Sequence, residues 1–353
     1  MADVATLETS NIPTTLEAVL DPAWLTFALA PVSNGRAVTA VETLEVLRTV
    51  ATKVRFAVTF DGAAETEAFC IKGLLDVDEM TARGGPTMVR EASFYTEVGP
   101  KVAVRTPVCV AAVIDRAAMQ GIVVMRDLIG AGARFCSALE PFTVDQASAS
   151  LDQLAALHAG RTMLDDMAWI TPRVSELATM QHISLETLQG LLDGPRGEGL
   201  SDAVRNAGRL RAGMSALAER DASRPQFLVH GDAHAGNIFR AAAGGTGLID
   251  WQLLQRGGWA LDLAYHICAV LPVELAEREE RRLLDHYLGV MRGLGCDMPD
   301  RDEAWRQYRE AAIYGFYLWS ITRRVDPPII ELFVNRLGMA VTRHDSHALL
   351  GVV

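Results

Sequence analysis

The clearest regular signal in this chain is an alternation. Val54, Phe56, Val58 and Phe60 are separated by polar or small residues, the period of a strand with one buried face. Before it, Val38 to Leu47 has strand composition. After it, Asp61–Gly62 turns the chain into a third strand, Glu67 to Leu75. Thr87 to Val98 (TMVREASFYTEV) predicts a helix closed by Gly99–Pro100, and apolar runs at Val108–Ile114 and Gly121–Met125 predict two further strands. Upstream, Asp21 followed by Pro22 starts a short helix that Pro31 is expected to stop. The first part of the chain therefore predicts a small antiparallel sheet carrying one helix.

Beyond Asp127 the pattern turns helical. Val144–His158 spaces Ala147, Leu151, Leu154 and Leu157 as a helix does, and long helices are predicted at Val273–Leu294, Glu303–Arg323 and Ile329–Thr342. Gly194 to Asp202 is a loop between helices. One strand-rich island interrupts this half. Phe227–Val229 and Ile238–Phe239 are short buried strands, and Gly244–Gly247 is a hairpin tip leading to Leu248–Ile249, which delivers Asp250 at its end. The fold class is α+β.

Between the two island strands, His230 to Asn237 crowds two histidines, an aspartate, two glycines and an asparagine onto one turn. Polar groups anchored in the core at both ends are costly unless they are paired or useful. A loop carboxylate can accept a hydroxyl proton, while an amide oxygen and a second carboxylate are hard ligands of the kind Mg²⁺ takes beside phosphate. That set suits phosphoryl transfer, which is mostly positioning and electrostatic stabilisation. Such a reaction also needs a cation over the phosphates. Lys72 sits mid-strand in FCIKG, with Glu91 on the following helix able to pair with it. Taken alone, Lys72 would read as an edge-strand gatekeeper.

Bulk properties narrow the choice of partners. The chain has 353 residues and a formal net charge of −11, which argues against nucleic acid and is compatible with a cationic small molecule. Its five cysteines are scattered without a CxxC pair, so no disulfide framework or cysteine zinc site is indicated. The first ten residues lack the basic and apolar regions of a signal peptide, and no apolar run approaches the ~18 residues that span a bilayer. A cytoplasmic monomer or homodimer without membrane contact is the expectation.

The run His230-Gly231-Asp232-Ala233-His234-Ala235-Gly236-Asn237 resembles the H-G-D-x-H-x-x-N catalytic loop of the aminoglycoside phosphotransferase and choline kinase group. These are small-molecule kinases with a protein-kinase-like fold, and the run also fits the H-x-D-x-x-x-x-N spacing of protein kinases. Asp250-Trp251 resembles the group's I-D-W/F metal segment, and GGWALDLAYH resembles its D-L-A helix start. FCIKG and REASFY match its lysine and glutamate. REASFY is also similar to the ecdysteroid-kinase-like branch. The resemblance runs from about Val38 to His266.

It implies a two-lobe architecture. Residues 1–127 would form an N-terminal nucleotide-binding lobe with a helical extension, and residues 128–353 a catalytic and substrate-binding lobe. It implies transfer of the γ-phosphate of ATP or GTP to a hydroxyl of a small molecule, with Asp232 as base and Asn237 and Asp250 holding Mg²⁺. Lys72, Glu91 and the hinge residues Met125 and Asp127 would serve the nucleotide, while His230, His234 and Asp262 support the loop. Three departures stand out: Arg48 to Lys53 contains no glycine, Arg126 replaces the glutamate of E-D-L, and Asp250-Trp251-Gln252 lacks the glycine of D-F-G.

Two alternatives remain at this level: a zinc hydrolase using His230, Asp232 and His234, and a nucleotide-binding pseudokinase. His158 reads as a core or helix-end histidine, and Trp251 and Tyr265 as packing residues. The aromatics Trp305, Tyr308, Tyr314, Tyr317 and Trp319 read as a core stripe, and Glu274 to Arg282 as a solvated face.

Overall fold

The computed structural model describes residues 5–8, 12–180 and 183–352. The chain divides into two compact units, one of residues 1–134, 241–244 and 248–253, the other of residues 135–240, 245–247 and 254–353.

The first unit is built on a six-stranded sheet: β1 (Ala5–Glu8), β2 (Val38–Arg48), β3 (Thr52–Phe60), β4 (Thr66–Gly73), β5 (Cys109–Asp115) and β6 (Gln120–Arg126). Their order is β1-β5-β6-β4-β3-β2, antiparallel except where β1 runs parallel to β5. The expected five strands are present. The sixth, β1, was not expected, because its alternation spans only the four residues Ala5–Glu8. On one sheet face Val54, Phe56, Val58, Phe69 and Ile71 form a core with Leu25 and Ala28 of the helix Pro22–Ala28 and its C-cap residue Leu29. Each such side chain contributes about 1.5–3 kcal/mol by leaving water. Asp21 caps that helix by accepting from Ala23 and Trp24 N–H. Pro31 does not stop it: the helix ends at Ala28, and Pro31 lies in the first turn of a further short helix, Ala30–Ser33.

Lys72 lies on β4, which is flanked by β3 and β6, so it is an interior-strand residue and not an edge gatekeeper. The predicted helix begins at Gly85, is α-helical to Ser93 and widens into a π turn over Phe94–Val98. It approaches β6 through glycines. A Cβ on Gly121 would stand 2.7 Å from the Met88 carbonyl oxygen, and one on Gly85 2.0 Å from that of Met119.

The second unit is mostly helical, with long helices at Val144–His158, Ala207–Ala222, Val273–Gly293, Arg301–Ile321 and Pro327–His344. Thr143 and Gln146 form a reciprocal cap on the first of these. Helix Ala260–Val270 is buried along its whole length, and its sequence is apolar apart from Asp262, Tyr265 and His266. Beside it Phe227–Val229 pairs antiparallel with Gln255–Gly257, and Ile238–Arg240 neighbours Thr246–Leu248 across the expected hairpin. Among the described residues no helix is long and apolar enough to cross a membrane.

Gly121→Ala should lower unfolding stability by about 1–3 kcal/mol through overpacking, because the obstructing atom is backbone. Urea denaturation checks it, and a variant as stable as the parent would show that helix Gly85–Ser93 is free to shift.

Candidate functional site

In the first unit, the Lys72 ammonium lies 2.7 Å from Glu91 Oε2 and 3.0 Å from Asp250 Oδ1. Each partner comes from a different element: β4, helix Gly85–Ser93 and the segment after Leu248. Burial alone would lower the lysine's pKa, but the two carboxylates outweigh it and hold the ammonium above its usual value. Burial pushes Glu91 up, against the pull of Lys72. Two contacts fix the Asp250 segment. Trp251 stacks on Phe94 with centroids 3.7 Å apart and planes at 11°, and Arg90 Nη1 donates to Gln252 O at 3.1 Å. Asp250 itself has φ +67, a left-handed conformation that costs a non-glycine residue about 1–2 kcal/mol, less for an aspartate.

In the second unit, strand Phe227–Val229 delivers His230 into a loop held by helix Ala260–Val270. Asp262, fully buried, accepts from His230 N–H at 2.6 Å, from Gly231 N–H at 2.9 Å and from His158 Nε2 at 3.1 Å. Gly231 takes φ +77, which a side chain would disfavour. His230 Nδ1 accepts from Asp232 N–H at 3.2 Å, and His234 Nδ1 from Gly236 N–H at 3.0 Å. Asn237 Nδ2 donates to Asp232 O at 2.8 Å and to Asp232 Oδ2 at 3.2 Å.

Asp232 Oδ1 also accepts from Tyr265 OH at 3.0 Å, while Trp319 Nε1 donates to that hydroxyl at 2.5 Å. Burial would raise the Asp232 pKa, but the His234 imidazole, His230 and the Tyr265 hydroxyl together bring it down to about 2. The side chain keeps 29% of its surface exposed, so this carboxylate is both ionised and reachable.

Lys72, Glu91 and Asp250 thus form one cluster, and Asp232, Asn237, His230, His234 and Asp262 another. Met125 and Asp127 join neither. Met125 is buried on β6 between Cys70 and Cys109. The Asp127 carboxylate is bonded by Arg55 Nε and Nη2 at 3.0 and 2.9 Å and by Ile129 and Gly130 N–H. Three residues that read from the sequence as core or packing side chains also support the loop, His158 through Asp262. Tyr265 bonds Asp232, His158 links Asp262 to Tyr287 OH at 2.6 Å, and Tyr314 OH donates to Gly231 O at 2.6 Å. The signal for Tyr265 was its spacing: it follows Asp262 by one helical turn, on the same face.

The zinc alternative does not fit this geometry, because the ligand atoms of His230, Asp232 and His234 do not converge as a metal-binding trio would. Among the described residues, the His, Cys, Asp and Glu group whose ligand atoms lie within 4.8 Å of one another is Cys268, Glu280 and His344, not the loop trio.

Residues 81–309 match the model of the phosphotransferase enzyme family, and the chain belongs to that family. No curated protein matches it. Among solved structures it is similar to an ethanolamine kinase of Plasmodium vivax, with 15% identity, 86% of this chain and 81% of that one covered and a TM-score of 0.47. It is also similar to the choline kinase LicA of Streptococcus pneumoniae, with 15% identity, coverage of 88% and 94% and a TM-score of 0.45. A third is the macrolide 2'-phosphotransferase of Brachybacterium faecium, with 16% identity, coverage of 91% and 98% and a TM-score of 0.44.

Asp262→Ala should destabilise the protein by about 3–5 kcal/mol, because it strips the anion from the buried N–H groups of His230 and Gly231 and from the His158 imidazole. Chemical denaturation measures it, and a loss under 1 kcal/mol would show the loop is held by other means. Acid should act in two stages. Burial lowers His266 and His347 to about 4. Both bind protons more weakly folded than unfolded (about 6.5), so stability should fall as pH drops from about 6.5 to 4. Asp232, at about 2 folded against about 3.9 unfolded, then removes more between about pH 4 and 2. A denaturation midpoint that is flat from pH 7 to 4 would contradict the first stage.

Proposed function

We propose that this enzyme moves the γ-phosphate of ATP or GTP to a hydroxyl of a small molecule. The observation that carries the reading is Asp232: an ionised, accessible carboxylate on a loop that hydrogen bonds from helix Ala260–Val270 hold in place. The acceptor's hydroxyl donates to Asp232, which orients the oxygen toward the γ-phosphorus and takes its proton as the new P–O bond forms and the bond from the γ-phosphorus to the β-phosphate oxygen breaks, releasing ADP or GDP. A carboxylate with a pKa of about 2 is a weak base. Its main service is therefore orientation, which suits a loose transition state in which the proton leaves late.

The donor set fits Mg²⁺. Asn237 turns its Nδ2 onto Asp232, which leaves Oδ1, a hard oxygen, without a hydrogen-bond partner among the described residues. Asp250 supplies the second ligand in this reading. When bound, Mg²⁺ supplies positive charge to the phosphate oxygens. Lys72 adds a fixed cation for the same oxygens, and Glu91 keeps it in place. Hinge contact by Met125 would be through its backbone or thioether, since the Asp127 carboxylate is engaged by Arg55. The net charge of −11 favours a cationic acceptor.

The test is a hydroxyl-compound library screened for ADP or GDP release, with Asp232→Asn as the blank. Turnover should fall by about 10²–10⁴-fold in that variant with nucleotide affinity retained, and near-native turnover would sink the assignment. Nucleotide with Mg²⁺ should raise the melting temperature by mass action. Asp250→Ala should remove the metal-dependent part of that shift and spare much of the metal-free part. A transition unmoved by saturating nucleotide and Mg²⁺ would count against the whole reading.

A further inference from the structure

Antiparallel register places Lys53 of β3 directly opposite Lys72 of β4, so both side chains leave the same face of the sheet. The row across four strands reads Leu47, Lys53, Lys72, Val123. Like charges directly opposite one another destabilise a sheet. Lys72 answers for its charge with Glu91 and Asp250, whereas Lys53, half-buried, makes no hydrogen bond or ion pair among the described residues. Burial and the neighbouring Lys72 charge hold its ammonium below the usual range. Nor does β3 lie at an edge, where a lysine would block strand addition.

The turn just before Lys53 sharpens the question. Thr49 donates both its N–H and its hydroxyl to Ala51 O, at 3.2 and 2.9 Å, and the Thr52 hydroxyl donates to Leu75 O at 2.9 Å. With those donors committed and no glycine in the turn, Arg48 to Thr52 is poorly suited to wrap phosphates with its hydroxyls. A cation beside Lys72 would serve the same oxygens.

We propose that Lys53 is a second polyphosphate-binding cation, which with Lys72 holds the nucleotide from the sheet in place of a glycine-rich loop. The inference rests on the phosphotransferase reading and adds a binding residue to it. Asp250 and Glu91 act on Lys53 only at a distance; a nucleoside triphosphate would supply an anion in direct contact, and the two ammonium groups could then share its oxygens instead of repelling each other. The ligand-free protein bears the cost of the unanswered charge, so site and stability pull in opposite directions.

Calorimetric titration of ATP, ADP and AMP into the full chain and its Lys53→Met and Lys53→Arg variants tests this, with melting temperatures taken without nucleotide. Lys53→Met should weaken ATP binding on the order of tenfold, the loss of one charge-assisted contact, and leave AMP little changed. Its ligand-free melting temperature should equal or exceed the parent's, and Lys53→Arg should keep most of the ATP affinity. ATP binding at parental strength in Lys53→Met would overturn the inference and leave the phosphotransferase reading intact. So would a loss shared equally by AMP and accompanied by a lower melting temperature, which marks a structural lysine. A parent protein that binds none of the three nucleotides would overturn both.

Discussion

The Asp262 carboxylate is fully buried, and among the described residues no lysine or arginine is hydrogen-bonded to it, a costly state that its partners make tolerable. Backbone N–H groups of His230 and Gly231 and the His158 imidazole share its two oxygens. Its place in the first turn of helix Ala260–Val270 adds the favourable end of the helix dipole. Burial works against ionisation here, and the His158 contact and the loop N–H groups win, so its pKa lies below the usual carboxylate range. Once ionised, Asp262 fixes where the loop must start. The same helix face continues the job one turn later, where Tyr265 meets Asp232 and His266 Nδ1 donates to Ala233 O at 2.8 Å. Three side chains at i, i+3 and i+4 thereby hold four consecutive loop residues.

That arrangement explains why so polar a turn is stable inside an apolar frame. Each histidine and the asparagine close a local hydrogen bond, and the group left reachable is the carboxylate with a use for solvent or substrate. Preorganisation of this kind removes the reorganisation that water would need at the moment of reaction. The first unit follows the same rule with a lysine in place of the carboxylate. Lys72 is buried between two acids supplied by a helix and by the Asp250 segment, and the Phe94–Trp251 stack keeps that segment from moving away.

Much of this was legible in the sequence, and the reasons differ by residue. The alternation of Val54 to Phe60 and the helical spacing of Val144–His158 are local signals, and both elements formed where expected. Asp262 was legible through motif resemblance, because its role depends on a loop thirty residues away that periodicity cannot reveal. Tyr265 was read as packing and is indeed buried, yet its hydroxyl bonds Asp232. Apolar pattern reports the ring and is silent about the oxygen. His158 was likewise placed in the core without its partner. Pro31 misled because a proline that cannot continue one helix can open the next. The Lys53–Lys72 pairing needed the register of β3 against β4, which the turn after Phe60 sets and which composition does not.

The account stands on Asp232 being an ionised carboxylate held for orientation. Carbon NMR titration of the aspartate carboxyls, with Asp232→Asn to assign the resonance, measures this directly. The predicted result is a carboxyl that stays ionised down to about pH 2 in the parent protein and moves up toward about 4 when Tyr265→Phe removes one of its donors. A parent Asp232 that titrates at or above the ordinary carboxylate value would contradict the account.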